Sequence, residues 1–330
     1  METEDGSHVS KPVAVIACTA MAIFYVAVLY APTLILRFPP PTSLNNFMIR
    51  RFVCAIVSSI VSVIVCALLL PMISLEASSI FGVYGIRVDH MWHAVVFPLS
   101  LTSLPYIGSL VSKSISVVNS WKEHKVHGED YWLKCTQNAS EMFLEWITSI
   151  ATNVLAWRNY FVAPFTEELV FRACIIPLLL CGGFKIYNII FLSPIFFSLA
   201  HLNHFLELYC QQNYSFGKAS LIVGFQLGYT VIFGVYASFL FIRTGHIIAP
   251  IVAHIFCNVM GFPVLSSRRK ERNGETGFMQ PTSYSWGLAI VAFLVGIGSF
   301  LWFLFPATSP DLYNDRTDNC RCWHGYCRWN

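Results

Sequence analysis

Charged side chains are scarce in this sequence. Asp, Glu, Lys and Arg make up 12% of its 330 residues, against about 25% in an ordinary soluble domain. Hydrophobic residues make up 55% and recur in long runs separated by short polar loops. The formal net charge of +3 is too small to indicate a nucleic-acid partner. This composition is typical of a polytopic helical membrane protein rather than a soluble domain.

The sequence also lacks the short motifs of several hydrolase classes. It contains neither a Gly-x-Ser-x-Gly nucleophile elbow nor a His-Glu-x-x-His zinc motif. Most of its 11 cysteines, Cys257 among them, lie within or beside apolar runs, where a thiol packs as a small hydrophobic group. Cys320, Cys322 and Cys327 cluster near His324, but we predict no metal site in so short a terminal tail.

The apolar runs predict one all-α domain over residues 1–330, a transmembrane helical bundle of about eight spans. The longest polar stretch is 113–145, whose later part we interpret as an amphipathic interfacial helix, and 306–330 is a polar tail. The predicted spans are Pro12 to Leu36, Phe52 to Leu75, Met91 to Val111, Ile150 to Cys181, Tyr187 to Leu202, Ala219 to Ile242, His246 to Phe262 and Tyr284 to Phe305.

The distribution of positive charge predicts the orientation of these spans. Lys and Arg accumulate in the loops 37–51, 113–145 and 266–283, which an eight-span count puts on one side. The positive-inside rule assigns that side to the cytosol and both termini to the opposite side. The sequons at Asn138 and Asn213 then lie in cytosolic loops, so we expect neither to carry a glycan.

Three charged residues interrupt the fourth predicted span. A charged side chain at membrane depth costs roughly 2.5 to 3.5 kcal/mol, so Glu167, Glu168 and Arg172 need partners or a function. Glu168 and Arg172 are four residues apart and can form an ion pair on one helix face. Glu167 lies about 100° away round the helix and has no such local partner.

Two further polar groups occur in later spans. His201 follows Phe197 by four residues near the end of the fifth span, and His254 and Asn258 share a face of the seventh. Each group taken alone fits a structural role, such as a hydrogen bond to a neighbouring helix. Their predicted depths, however, allow all three groups to meet in one polar cavity open to the cytosol. A carboxylate and two histidines together exceed what packing requires.

Amide hydrolysis is the chemistry that these side chains favour. Glu167 beside a histidine can take a proton from water. His254 and the Asn258 carboxamide can donate to a developing oxyanion. Two alternatives stay open: the same proteolysis with a zinc-activated water, and a non-enzymatic membrane scaffold or transporter that uses Glu167, His201 and His254 as a proton relay.

The three motifs, in this order, resemble those of the type II CAAX protease family. The motifs are Glu-Glu-x-x-x-Arg from Glu167, Phe-x-x-x-His ending at His201, and His-x-x-x-Asn from His254. The resemblance is strong from about 159 to 263, which we take as the catalytic core, and weak elsewhere. It implies an endoplasmic reticulum endopeptidase that removes the aaX tripeptide from prenylated CAAX proteins, with its active site facing the cytosol.

The resemblance also implies roles for individual residues. Glu167 would be the general base, acting on water with His201, and His254 and Asn258 would stabilise the oxyanion. Glu168 and Arg172 would orient the catalytic groups. No cofactor or metal is expected. The implied partners are membrane lipid and prenylated Ras-type small GTPases, G-protein γ subunits and lamins.

Overall fold

The fold is a bundle of α-helices in a computed structural model that describes residues 9–70, 81–125, 148, 150–202, 205, 207–211, 214–261 and 283–313. One helical segment, residues 154–181, contains two π turns and is labelled α5 here. The other helices are α1 Lys11–Ala27, α2 Leu44–Leu69, α3 Met91–Ser103, α4 Ile107–Lys125, α6 Ile186–His201, α7 Phe216–Thr244, α8 Ile248–Met260 and α9 Ser283–Phe303.

The predicted all-α membrane bundle is confirmed. Five helical segments in the described ranges are long and apolar enough to cross a bilayer: Lys11–Leu34, Leu44–Leu69, Met91–Ile115, Phe216–Thr244 and Trp286–Phe303. Helices α6 and α8 are shorter and apolar. With α5 these segments correspond one to one to the eight predicted spans. The 3-10 turn Leu104–Tyr106 joins α3 to α4, which together form the third span.

Several predicted boundaries were wrong. Helix α2 begins at Leu44, where Ser43 accepts a hydrogen bond from the Asn46 amide at 3.2 Å. Arg50 and Arg51, assigned to a loop from their charge, therefore lie in the second turn of a helix. Helix α4 continues to Lys125, well into the stretch predicted as a polar loop. Polar residues at the end of a span extend its helix into water without any burial cost, which the hydropathy pattern does not register.

The start of the predicted polar tail is folded. Residues 306–313 form two 3-10 turns, and Thr308 and Tyr313 are almost wholly buried. Arg243 at the end of α7 donates to the Phe305 carbonyl at 3.3 Å and to the Thr308 hydroxyl at 3.5 Å. The tail therefore begins after this contact rather than at residue 306.

Some predictions concern residues outside the described ranges. The loop 266–283 falls there except for its last residue, and so do the asparagines of both sequons, the three clustered cysteines and the interfacial helix expected before residue 148. The orientation derived from positive charge therefore stays a prediction.

Helix α5 departs from α-helical geometry at Arg158–Val162 and again at Leu169–Cys174, which are π turns. A π turn leaves backbone carbonyls that accept bonds from outside the helix. Ser193 of α6 donates to the Phe171 carbonyl at 3.0 Å, and the Cys66 thiol of α2 donates to the Cys174 carbonyl at 3.5 Å. Neighbouring helices thus satisfy polar backbone groups at membrane depth, which a bilayer requires.

Glycines bring some helices into close contact. A side chain at Gly296 of α9 would overlap the Leu104 carbonyl, and one at Gly108 of α4 would lie 2.7 Å from the Ala289 carbonyl. Small residues at such crossings allow membrane helices to approach closely. A β-carbon at Gly298, two residues further along α9, would meet no atom of the described residues within 4 Å.

We expect Gly296→Ala to destabilise the protein by about 1 to 3 kcal/mol, because the added methyl group has no room. Gly298→Ala makes the same chemical change in the same helix and should be neutral or slightly stabilising. Thermal unfolding of both variants in detergent micelles measures the difference. Equal melting temperatures would contradict the close approach of α9 to the turn between α3 and α4.

Candidate active site

A buried ion pair forms the base of the candidate site. Arg172 Nη1 donates to Glu168 Oε1 at 3.0 Å, and both side chains are completely buried. The guanidinium carbon also lies 4.4 Å from the ring centroid of Phe197 and 5.7 Å from that of Phe233. The predicted pairing is confirmed, although the backbone after Glu168 is a π turn. Aromatic faces and a carboxylate together offset the cost of burying the positive charge.

His254 lies between the two glutamates. Its Nδ1 is 2.7 Å from Glu168 Oε1, and its Nε2 is 3.9 Å from Glu167 Oε2. An ionised carboxylate only accepts hydrogen bonds, so Nδ1 carries the hydrogen in the contact with Glu168. This contact fixes the orientation of the imidazole and directs Nε2 towards Glu167. The sequence did not predict it, because Glu168 and His254 are 86 positions apart.

The predicted catalytic residues line a single cavity of about 270 Å³. Glu167 comes from α5, His201 from the end of α6, and His254 and Asn258 from α8. Glu168 and Arg172 are absent from the cavity wall among the described residues and lie beneath it. The structure therefore brings together all four residues predicted to be catalytic, and Glu168, one of the two predicted to orient them, contacts His254 from beneath the cavity.

Backbone carbonyls orient His201 and Asn258, the other two predicted catalytic side chains on the cavity wall. His201 Nδ1 lies 3.0 Å from the Phe197 carbonyl, one turn earlier in α6. The Asn258 carboxamide donates to the Asn159 carbonyl at 2.8 Å. A carboxamide has a second N–H, so this contact orients Asn258 and leaves a donor for another acceptor. Asn258 is exposed whereas His254 is buried, so the cavity deepens from the last turn of α8 towards the ion pair.

A hydrogen-bond chain fixes the backbone beside Glu167. The Thr166 hydroxyl donates to the Val162 carbonyl at 2.7 Å and lies 2.8 Å from the Tyr25 hydroxyl. Ser59 of α2 contacts the Thr166 carbonyl at 3.5 Å. Helices α1 and α2 are thereby attached to α5 one residue before the predicted base, which limits how far Glu167 can move.

The cavity wall also contains polar residues that the sequence did not identify as site residues. They are Tyr25, Arg51, Arg158, Asn159, Thr166 and Gln226. Each lies at the end of an apolar run or within it, where the simpler interpretation is a boundary or packing residue. Only the helix packing shows that they face the same space as Glu167.

A separate apolar groove adjoins the cavity. It has a volume of about 620 Å³ and runs between α1 and α6. Val26 and Ala200 belong to both the groove and the cavity, so the two spaces meet at these residues. Its other lining residues include Ile23, Ala27 and Leu199, all of which are exposed. An elongated hydrophobic group could therefore start beside the polar site and extend between two membrane helices.

The described residues contain no group of three or more His, Cys, Asp or Glu side chains arranged to hold a metal ion. Glu167 and His254 face each other across 3.9 Å, but the second carboxylate, Glu168, already contacts Arg172 and His254. This donor set gives the zinc alternative no ready site in the described part of the chain.

The bundle of apolar helices, with a glutamate–histidine cavity inside it, defines a polytopic helical membrane protein. The sequence profile of the family described as type II CAAX prenyl endopeptidase Rce1-like matches residues 149–260. That segment contains Glu167, Glu168, Arg172, His201, His254 and Asn258.

Curated relatives extend the similarity beyond that segment. The chain is 53% identical over 326 residues to CAAX prenyl protease 2 of Arabidopsis thaliana, covering 99% of both chains. It is 31% identical over 305 residues to CAAX prenyl protease 2 of Homo sapiens, covering 91% of this chain and 83% of the relative. The Caenorhabditis elegans protein of the same name is 31% identical over 256 residues, covering 74% and 84%. No solved structure matches the chain significantly. The chain belongs to the type II CAAX prenyl endopeptidase family.

We expect Glu168→Gln to destabilise the protein by about 3 to 5 kcal/mol, because Arg172 would lose its carboxylate while still buried. The matched variant is Glu167→Gln, which removes the neighbouring charge from a side chain that is 18% exposed. Its stability should stay close to that of the wild type. Chemical or thermal unfolding in detergent micelles measures both.

The double variant Glu168→Gln/Arg172→Met separates the ion pair from other roles of Glu168. Removing both charges of a buried pair is often neutral, so the double variant should recover much of the stability that the single variant loses. Equal stability of Glu168→Gln and Glu167→Gln would show that the ion pair contributes little to folding.

Proposed function

We propose that this protein is an intramembrane endopeptidase of the endoplasmic reticulum that removes the aaX tripeptide from farnesylated or geranylgeranylated CAAX proteins. The observation that carries the proposal is the shared cavity of Glu167, His201, His254 and Asn258. Relatives of the chain along nearly its full length carry the name CAAX prenyl protease 2. The proposed substrates are Ras-type small GTPases, G-protein γ subunits and lamins, presented to a cytosolic opening of the cavity.

Glu167 is the proposed general base. Its carboxylate is partly exposed to the cavity, and within the described ranges it has no arginine partner like that of Glu168. A water molecule between Glu167 and an imidazole could lose a proton to the carboxylate as it attacks the scissile carbonyl. His201 at the end of α6 completes the group that holds this water.

His254 and Asn258 are the proposed donors to the oxyanion. For His254 Nε2 to donate while Nδ1 donates to Glu168, the imidazole must be doubly protonated. Its positive charge would then lie between two carboxylates and face the oxygen that becomes negative. Asn258 adds its second carboxamide N–H. Fixed donors of this kind stabilise the transition state more than the substrate, because the charge develops only during the reaction.

The apolar groove between α1 and α6 is the proposed site of the prenyl chain. In a CAAX protein the lipid is attached to the cysteine immediately before the cleaved bond, so it must leave the active site within one residue of the scissile carbonyl. The groove meets the cavity at Val26 and Ala200, which satisfies this requirement. A volume of about 620 Å³ lies within the range of sites that bind drug-sized molecules.

We expect Glu167→Gln to lower kcat by about 100- to 10,000-fold, the usual contribution of a general base. Asn258→Ala should cost about 100- to 1000-fold, the usual loss for one oxyanion donor, and His201→Ala and His254→Ala should be nearly inactive. Cleavage of a farnesylated peptide in membranes is the measurement, and Asp311→Asn, a carboxylate outside the site, is the control.

Two results of this assay would change the mechanism. Full activity of Glu167→Gln would exclude that residue as the base, and a change below about threefold for Asn258→Ala would exclude its role as an oxyanion donor. Metal-free preparation tests the zinc alternative with the same peptide. Activity that survives it excludes a required metal, whereas loss that added zinc reverses would establish one.

We expect Ala27→Trp to raise the KM for a farnesylated peptide about tenfold. The indole would displace roughly two buried CH₂ groups of the lipid, each worth about 0.8 kcal/mol. Ala20→Trp is the matched control, since Ala20 is also an exposed alanine of α1 but does not line the groove. A similar effect of both substitutions would show that the prenyl chain binds elsewhere.

A further inference from the structure

Two arginines lie in the wall of the cavity, and neither takes part in the proposed chemistry. Arg51 belongs to α2 and Arg158 to the first π turn of α5. The other formally charged side chain among the described residues of this wall is Glu167, the proposed base. Both arginines therefore face the space that a substrate would occupy.

Local contacts restrict both guanidinium groups. Arg158 Nε donates to the neutral side-chain oxygen of Asn159 at 3.0 Å, and no carboxylate in the described ranges pairs with Arg158. The Arg51 guanidinium carbon lies 4.6 Å from the centroid of the Phe47 ring. A guanidinium group has five N–H groups, so the bond to Asn159 leaves Arg158 further donors for an anion.

The depth of the arginines follows from how α2 and α5 pack. Ser59 contacts the Thr166 carbonyl and, further along both helices, Cys66 contacts the Cys174 carbonyl. From the first contact to the second, the residue numbers increase in both helices, so α2 and α5 are parallel. Positions that precede the first contact by equal numbers of residues therefore lie at similar depths.

Arg51 precedes Ser59 by eight residues, and Arg158 precedes Thr166 by eight residues. At about 1.5 Å per residue, both arginines lie ~12 Å along the bundle from the contact that adjoins Glu167, slightly less through the π turn. A fully extended peptide spans about 3.3 to 3.6 Å per residue, so three residues cover ~10 Å. This axial separation of the backbone positions is close to the length of an extended tripeptide.

We propose that Arg51 and Arg158 bind the C-terminal carboxylate of the substrate and thereby set the cleavage position three residues from its end. This role rests on the proposed function and adds a specificity site to it. Arginine suits the role because its planar guanidinium donates two parallel hydrogen bonds to a carboxylate. The aaX segment would extend from Glu167 towards α2 and α5, while the lipid leaves between α1 and α6.

The test compares two farnesylated peptides that differ only at the C-terminus, one a free carboxylate and the other a carboxamide. Wild type should cleave the free acid at least about tenfold faster in kcat/KM, as expected for a hydrogen bond to a charged group. Arg51→Gln and Arg158→Gln should each lose about tenfold on the acid but less than about twofold on the amide.

Arg50→Gln is the matched control. Arg50 is the neighbouring arginine of α2, but its guanidinium donates to the Pro39 carbonyl at 2.7 Å and does not line the cavity. Its removal should leave the preference for the free acid unchanged. The rate on the amide peptide serves as the folding control, because a misfolded variant would lose both activities.

The possible outcomes separate the two proposals. Cleavage of neither peptide by the wild type would refute the proposed function, and the carboxylate site with it. Equal wild-type rates on acid and amide would refute the carboxylate site alone. A third outcome is that the arginine variants lose equal activity on both peptides, by a factor that changes with the anionic-lipid content of the membrane. That outcome would mean that the arginines bind lipid phosphate instead.

A second pair of peptides tests the distance. One has the normal three residues after the farnesylated cysteine and the other has four, both with free carboxylates. Wild type should prefer the shorter tail, and the preference should fall towards unity in Arg51→Gln/Arg158→Gln. If the double variant keeps the wild-type length preference, the arginines do not determine the cleavage position.

Discussion

The buried contact of Glu168 with Arg172 and His254 is the interaction on which the rest of the site depends. One carboxylate oxygen receives both a guanidinium N–H at 3.0 Å and an imidazole N–H at 2.7 Å. Because Glu168 and Arg172 have no exposure to water, removal of any one partner leaves another polar group without compensation. The contact of Glu168 with His254 therefore joins α5 to α8, and it fixes the position of His254 relative to Glu167.

The two adjacent glutamates have opposite environments. Glu168 points into the bundle, beneath the cavity, where an ion pair and the rings of Phe197 and Phe233 enclose its partner. Glu167 points into the cavity and keeps access to water. A helix turns about 100° per residue, so adjacent positions necessarily face different sides. Glu168 can therefore stabilise the bundle while Glu167 stays available for a reaction in the cavity.

The cavity adjoins surfaces of different polarity. The apolar groove begins at Val26 and Ala200, whereas the two arginines lie on α2 and α5. A prenylated C-terminus has the same division, an apolar chain on one side of the scissile bond and a charged carboxylate at the end of the other. Under the proposed function, these surfaces would match the polarity of the two parts of the substrate.

The amino-acid sequence predicted the class of fold and the eight apolar segments. It also predicted the six polar residues of the site, because polar and charged groups at membrane depth are costly and stand out within apolar runs. The pairing of Glu168 with Arg172 was predictable too, since residues four apart on a helix meet. The second partner of Glu168, His254, and the place of Arg51 and Arg158 in the same cavity as Glu167 became evident only in the folded bundle. Those contacts join different helices, and hydropathy encodes neither how helices pack nor where α5 departs from α-helical geometry.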